Sequence, residues 1–158
     1  MSAISALRAA LHCSRRTVFY WCLIQVGWRS SVVMRLLFIC VGNTCRSQMA
    51  EALARHMGHE AASAGTHPGD TVASNSLAVL QEIGVSTEGL SPKSVDDVET
   101  EGWDMIISMG CGVHCPMLPI AEDWGLDDPV GGPIEVYRST RDTIVGNLER
   151  LSAEQTDA

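Results

Sequence analysis

Cys40 and Arg46 stand six residues apart, with Gly42-Asn43 between them and Ser47 directly after. Cysteine is a strong nucleophile as its thiolate, and the planar fork of arginine holds two oxygens of an oxyanion. A loop leading into a helix N-terminus gathers backbone N–H groups into one concavity that suits a tetrahedral anion. The same positive field favours thiolate over thiol, and cysteines at helix N-termini reach pKa values of roughly 3.5–7.5 against about 8.5 unperturbed. Gly42 lets the backbone approach the anion, Asn43 tolerates a left-handed conformation, and the Ser47 hydroxyl is placed to donate to the sulfur. Cys40 and Arg46 are therefore the candidate catalytic pair. Val41, Gly42, Asn43, Thr44, Cys45 and Ser47 are the candidate substrate-binding positions. A plainer reading has Cys40 merely ending a buried strand; the Gly-Asn pair and Ser47 argue against it. Cys45 either lines the loop as a small hydrophobe or closes a protective disulfide with Cys40.

Such a site needs a strand that ends at the cysteine and a helix that starts at the arginine. Leu36 to Cys40 is an apolar run of strand length. From Ser47 onward Met49, Ala50, Leu53, Ala54 and Met57 recur at helical steps, and Gly58 supplies a stop. Glu60 to Gly65 reads as a second strand, and Asn75 to Ile83 as a helix closed by Gly84. Val85 to Lys93 is a loop broken by Gly89 and Pro92. Ser94 is a candidate N-cap, with Asp96 and Asp97 in the first turn of a short helix. Asp104 to Met109 is a third strand, and Gly110 to Pro119 a loop carrying Cys111 and Cys115. Trp124 and Leu126 belong to a short fourth strand or to the run into it. Gly131 to Pro133 break the chain before a last helix from Ile134 to Leu151. Strands alternating with helices predict an α/β fold, a parallel sheet with helices on both faces.

The run Cys40-Val-Gly-Asn-Thr-Cys-Arg-Ser-Gln-Met-Ala-Glu51 resembles the signature of the low-molecular-weight protein tyrosine phosphatase family. Its Ser-Gln-Met resembles the thioredoxin-coupled arsenate reductases that share that fold. The resemblance runs from about Arg35 to Leu151. Together with right-handed crossovers it implies three layers around a four-stranded parallel sheet of order 2-1-3-4. The site then lies at the switch point between strands one and three.

That topology would place Cys40 and Cys111 at one sheet edge, on strands about 4.8 Å apart. Cys111 and Cys115, on one helical turn, would lie near disulfide range. By resemblance, Cys40 attacks arsenate, Cys111 attacks Cys40 and releases arsenite, and Cys115 attacks Cys111. Thioredoxin then reduces the Cys111–Cys115 disulfide, and no bound cofactor is needed. The Cys-x3-Cys spacing is tighter than in the best-known members, while Pro116-Met-Leu-Pro119 matches them. The plain alternative is two loop cysteines with no redox role. The resemblance also makes Asp128, in Asp127-Asp128-Pro129, the proton donor. The aromatic residues that grip phosphotyrosine in tyrosine phosphatases are replaced here by Val130-Gly131-Gly132, which favours a small inorganic oxyanion. Glu51 and Ser63 match positions that bind potassium in some relatives.

Composition sets the frame. Hydrophobic residues make up 46% and charged residues 19% of 158, enough for one domain with a sizeable core. All 19 acidic residues follow Met34, against seven basic ones there, a balance of −12. Such a body repels nucleic acid and acidic membrane surfaces, so an anionic substrate must rely on a local positive cradle. The six cysteines fit no zinc spacing, and no protein-bound metal is expected. The four in the body, Cys40, Cys45, Cys111 and Cys115, read as redox-active thiols of a reducing, cytoplasmic compartment. His56 and His59 read as helix-end residues, and His114 lies between the redox cysteines. Residues 1–33 lack acid, carry four arginines and hold an apolar patch, Val18 to Trp28, too short for a bilayer span of about 20 residues. They are expected to be a disordered or mis-called extension, with a targeting segment as the alternative. The expected domain is 34–152, followed by a frayed tail, 153–158, in a monomer.

Three activities follow. The first is thioredoxin-coupled arsenate reduction through Cys40, Cys111 and Cys115. The second is a low-molecular-weight phosphatase needing only Cys40, Arg46 and Asp128. The third is a non-enzymatic thiol-redox sensor or oxyanion-binding protein.

Overall fold

Four parallel strands lie in the order β2-β1-β3-β4, with β1 spanning Arg35–Cys40, β2 Glu60–Gly65, β3 Met105–Ser108 and β4 Glu122–Asp123. The structure is a computed structural model that describes residues 32–110 and 118–156. Cys111, His114 and Cys115 lie outside the described residues, as do residues 1–31 of the expected extension. The helices are α1 (Arg46–His56), α2 (Ser74–Gln81) and α3 (Ile134–Thr156), with a 3-10 turn at Val95–Asp97.

β1 is central because it is apolar on both faces: Leu36 through Ile39 are completely buried. The strand's period of two then sorts the core. Leu36, Phe38 and Cys40 pack with Met49 and Leu53 of α1, Val79 and Leu80 of α2, and Ile144, Leu148 and Leu151 of α3. Leu37 and Ile39 pack the other way, with Ala64, Ile106, Val95, Val98, Trp103, Leu118 and Ile120. Arg35 pins the strand's entry: its guanidinium pairs with Glu60 at 3.0 Å, and its N–H donates to Asp104 at 2.7 Å.

Gly58, at φ +93°, ends α1 as its position predicts, and the His59 N–H returns to the Ala54 carbonyl at 3.0 Å. Ser94 caps its turn by accepting from the Asp96 N–H at 3.2 Å, but the turn closes as 3-10 rather than α. The fourth strand falls on Glu122–Asp123, ahead of the expected Trp124 and Leu126. β3 is only four residues long; just past β4, Trp124 still donates its N–H to Ser108 O at 2.9 Å, and its ring meets Phe38 at a tilt of 51° with centroids 5.6 Å apart. α3 runs past Leu151 to Thr156, supported by an Arg150–Glu154 pair at 3.0 Å and a Thr156 hydroxyl bond to Ser152 O at 2.9 Å. Among the described residues, no helix is long and apolar enough to cross a membrane.

Candidate active site

The loop from Cys40 to Arg46 joins the C-terminal end of β1 to α1. Its carbonyls are engaged on the outside. Thr66 N–H donates to Cys40 O at 3.1 Å, His67 to Val41 O at 2.9 Å, Gly69 to Gly42 O at 2.9 Å and Ala73 to Thr44 O at 2.9 Å. The Gln48 side chain takes the Asn43 carbonyl at 3.0 Å. In a planar trans peptide C=O and N–H point in opposite directions. Turning these carbonyls outward therefore turns the amides of Gly42 through Cys45 inward. One of them is seen doing so: Asn43 N–H donates to Cys40 Sγ at 3.1 Å. Asn43 meets this curvature at φ +48°, its left-handed conformation.

The segment behind the loop must press close. Gly65 ends β2 opposite Cys40, and a Cβ there would meet Val41 O at 2.5 Å and Asn43 Cβ at 2.9 Å. Only glycine leaves that space.

Cys40 is 3% exposed, and its sulfur lies 2.8 Å from Ser47 Oγ. The network leaves the Ser47 proton available to the sulfur. Asn43 Nδ2 donates to Ser47 Oγ and to Ser63 Oγ, both at 2.8 Å. Ser63 in turn donates to Glu51 Oε2 at 2.5 Å. The Ser47 hydroxyl, already an acceptor, has its own proton left for the sulfur. Two donors thus stabilise negative charge on Cys40.

Arg46 is 6% exposed and braced from two sides. Nη1 donates to Leu126 O at 2.8 Å and Met109 O at 3.3 Å, while Nη2 pairs with Asp128 Oδ2 at 3.2 Å. Arg46 therefore ties the anion loop to the ends of β3 and β4. Asp128, with its side chain 54% exposed, also accepts the Val130 N–H at 3.2 Å, while Pro129 behind it is buried. Asp127 is exposed and makes none of these contacts. Thr44, Val41 and Gly42 are half-buried at the mouth.

Cys45 is buried against α3. Its sulfur lies 4.0 Å from the Tyr137 hydroxyl on α3 and 3.7 Å from Thr44 Oγ1. Burial pushes the Tyr137 hydroxyl above its ordinary pKa; Cys45 and Asp128 add to the rise, and the Gly131 amide opposes it. Tyr137, Gln48 and Lys93 are site-shaping residues that sequence reasoning passed over. Tyr137 reads as one more apolar position of the last helix, and only the fold brings its hydroxyl to Cys45.

Glu51 is fully buried and faces Arg55, Lys93 at 3.5 Å and Ser63. Its Oε1 meets Arg55 as an ion pair without hydrogen-bond geometry. Two side-chain cations already face this one carboxylate, so a potassium ion does not fit at Glu51 and Ser63. The arrangement around Cys40 can hold a tetrahedral oxyanion against a nucleophilic sulfur.

Residues 35–157 match the family described as low molecular weight phosphotyrosine protein phosphatase. The chain is 33% identical over 128 residues to a glutaredoxin arsenate reductase of Synechocystis sp., covering 76% of this chain and 97% of that one. A solved arsenate reductase in a phosphate-binding state superposes with a TM-score of 0.71 at 32% identity, covering 77% and 98% of the two chains. The YwlE arginine phosphatase from Geobacillus stearothermophilus superposes with a TM-score of 0.68 at 28% identity, covering 78% and 94%.

Proposed function

We propose arsenate reduction from one premise: the chain belongs to the low molecular weight phosphotyrosine protein phosphatase family. The observation that carries the reading is the Cys40 sulfur, held by the Ser47 hydroxyl and Asn43 amide at the floor of an inward-facing anion loop. Beside it, Arg46 and Asp128 meet at the rim. The arsenate reductases among its relatives, one of them a phosphate-binding structure, support an inorganic oxyanion as substrate. So does Val130, 59% exposed and followed by two glycines where an aromatic grip would sit.

In this reading Cys40 attacks arsenic, and an arsenate oxygen leaves as water with a proton from Asp128. Arg46 and the loop amides hold the remaining oxygens. Cys111 then attacks the Cys40 sulfur. The S–As bond breaks, its electron pair stays on arsenic, and arsenite departs as a Cys40–Cys111 disulfide forms. Cys115 attacks Cys111 and frees Cys40. An external dithiol, thioredoxin in our reading, reduces the Cys111–Cys115 pair. We place the enzyme in the cytoplasm, whose reducing poise the cycle needs, as a monomer.

The second reading is phosphomonoester or phosphoramidate hydrolysis. It is favoured by the half-exposed Asp128 carboxylate, placed to protonate a leaving group, and by the likeness to an arginine phosphatase. The test is arsenate-dependent NADPH oxidation, coupled in parallel to thioredoxin with its reductase and to glutaredoxin with glutathione. Aryl-phosphate and phosphoarginine hydrolysis are measured beside it. NADPH oxidation with the thioredoxin system supports the proposal. Oxidation only with glutaredoxin replaces the reductant. Hydrolysis without arsenate reduction replaces the reaction.

A further inference from the structure

Gln48 sits in the first turn of α1, completely buried, with its amide nitrogen among three oxygens. Nε2 lies 3.0 Å from Asn43 O, 3.0 Å from Asn43 Oδ1 and 2.8 Å from Ser91 O. Its own Oε1 has no hydrogen-bond partner. A buried carbonyl left unsatisfied is costly, so the donor end must matter at this place. A glutamate or an apolar side chain of equal length would offer those oxygens no proton.

The consequence runs through Asn43. Oδ1 accepts from Gln48 Nε2 and from the Lys93 N–H at 2.8 Å, which fixes the amide's orientation. Nδ2 is thereby turned to Ser47 and Ser63. Were the amide reversed, Oδ1 would face Ser47 and take the hydroxyl proton that now points at Cys40. Nδ2 would then face two donors. We infer that Gln48 is a positioning residue for Cys40: it holds the Asn43 amide in the orientation that directs the Ser47 proton to the sulfur. The inference rests on the reading of Cys40 as the nucleophile, but not on which oxyanion it attacks.

The test reads Cys40 directly. Iodoacetamide alkylation is followed against pH, with the label localised by tandem mass spectrometry on tryptic peptide 36–46. Gln48→Met should raise the midpoint by about one pH unit, or roughly tenfold slower alkylation on the acid limb. The same substitution in a Ser47→Ala background should add nothing, because the pathway is already cut. An unchanged midpoint, or an equal shift in the Ser47→Ala background, overturns the inference. Should Gln48→Met fail to melt cooperatively, hydrogen exchange in the parent protein decides. The Gln48 and Asn43 side-chain amide protons should exchange slowly; prompt exchange of either overturns it. A shifted midpoint in an enzyme that reduces no arsenate would remove the proposed reaction and leave this inference standing.

Discussion

Gly65→Ala is expected to damage the site far more than its single methyl suggests. The new Cβ would lie 2.5 Å from Val41 O and 3.1 Å from Asn43 N. The first distance is roughly 0.9 Å short of the 3.4 Å where ordinary contact begins. Both neighbours are backbone, so no side chain can swing aside. The anion loop must move by about an ångström, or β2 must part from β1. Overpacking of this kind costs about 1–3 kcal/mol, which for a domain of this size lowers Tm by about 2–12 °C. A displacement of about 1 Å at reacting groups costs roughly 100-fold in rate. Two further glycines calibrate the result. At Gly69 the Cβ would meet the Thr44 methyl at 2.8 Å, the end of a side chain that can turn, so Gly69→Ala should be milder. Gly146, inside α3, has nothing within 4 Å. Gly146→Ala should therefore stabilise by about 0.5–1 kcal/mol and leave turnover unchanged. The assay is kcat/KM for arsenate beside thermal melting for all three. If Gly65→Ala melts lower yet keeps the parent kcat/KM, the close packing of Gly65 does not set the loop's geometry.

Arg46→Lys should reduce turnover on arsenate or on any phosphate ester by at least roughly 100-fold, since an ammonium cannot fork across two oxygens while bonding Met109 O and Leu126 O; steady-state kinetics on both substrate classes check it. Stability should fall as pH drops below 6.5. Burial holds His59 below that ordinary value, and its Nδ1 accepts the Met34 N–H at 3.3 Å. The unfolded chain therefore takes up the proton first, so the contribution is complete above 6.5 and lost as pH falls through the folded value. Melting curves from pH 7.5 to 5 should show the decline, and His59→Gln should flatten it. Glu82 and Glu122, lowered by hydrogen bonds from Arg138 and Arg150 respectively, keep their contributions above the ordinary carboxylate value of 4.5 and lose them progressively as pH falls from there through their lowered folded values.

What the sequence made legible was what lies close along the chain. Cys40, Asn43, Arg46 and Ser47 fall within eight residues, so residue type and spacing already imply the loop, and the hydrogen bonds at 2.8 and 3.1 Å realise it. The parallel sheet followed from alternating elements, and its order from right-handed crossovers together with the family resemblance. Asp128 was singled out by the family resemblance through its Asp-Pro step, and its carboxylate meets Arg46 at 3.2 Å. Less legible were roles created by backbone groups distant in sequence. Nothing local marks Gln48 as the partner of Ser91 O, or Lys93 N–H as the partner of Asn43 Oδ1. Tyr137 lies 92 residues from Cys45, and its helical spacing reveals an apolar face but not a hydroxyl contact. The potassium position failed for a related reason: Glu51 and Ser63 match the pattern, but Arg55 and Lys93 already face the carboxylate. β4 is only Glu122–Asp123, and Trp124 and Leu126 lie just past it while still donating to Ser108 O and Met109 O, a backbone placement that their hydropathy did not reveal.

The claim that Cys40 reduces arsenate through a relay is tested most directly by Cys115→Ser. The substituted enzyme is fully reduced, freed of excess thiol and mixed with arsenate, and arsenite is counted against enzyme. Arsenate reduction consumes two electrons, which Cys40 and Cys111 alone can supply once. One arsenite per enzyme and then arrest is expected, with non-reduced peptides joined by a Cys40–Cys111 disulfide in the mass spectrum. Continued turnover with thioredoxin, or arrest with Cys40 and Cys111 still unlinked, would contradict it.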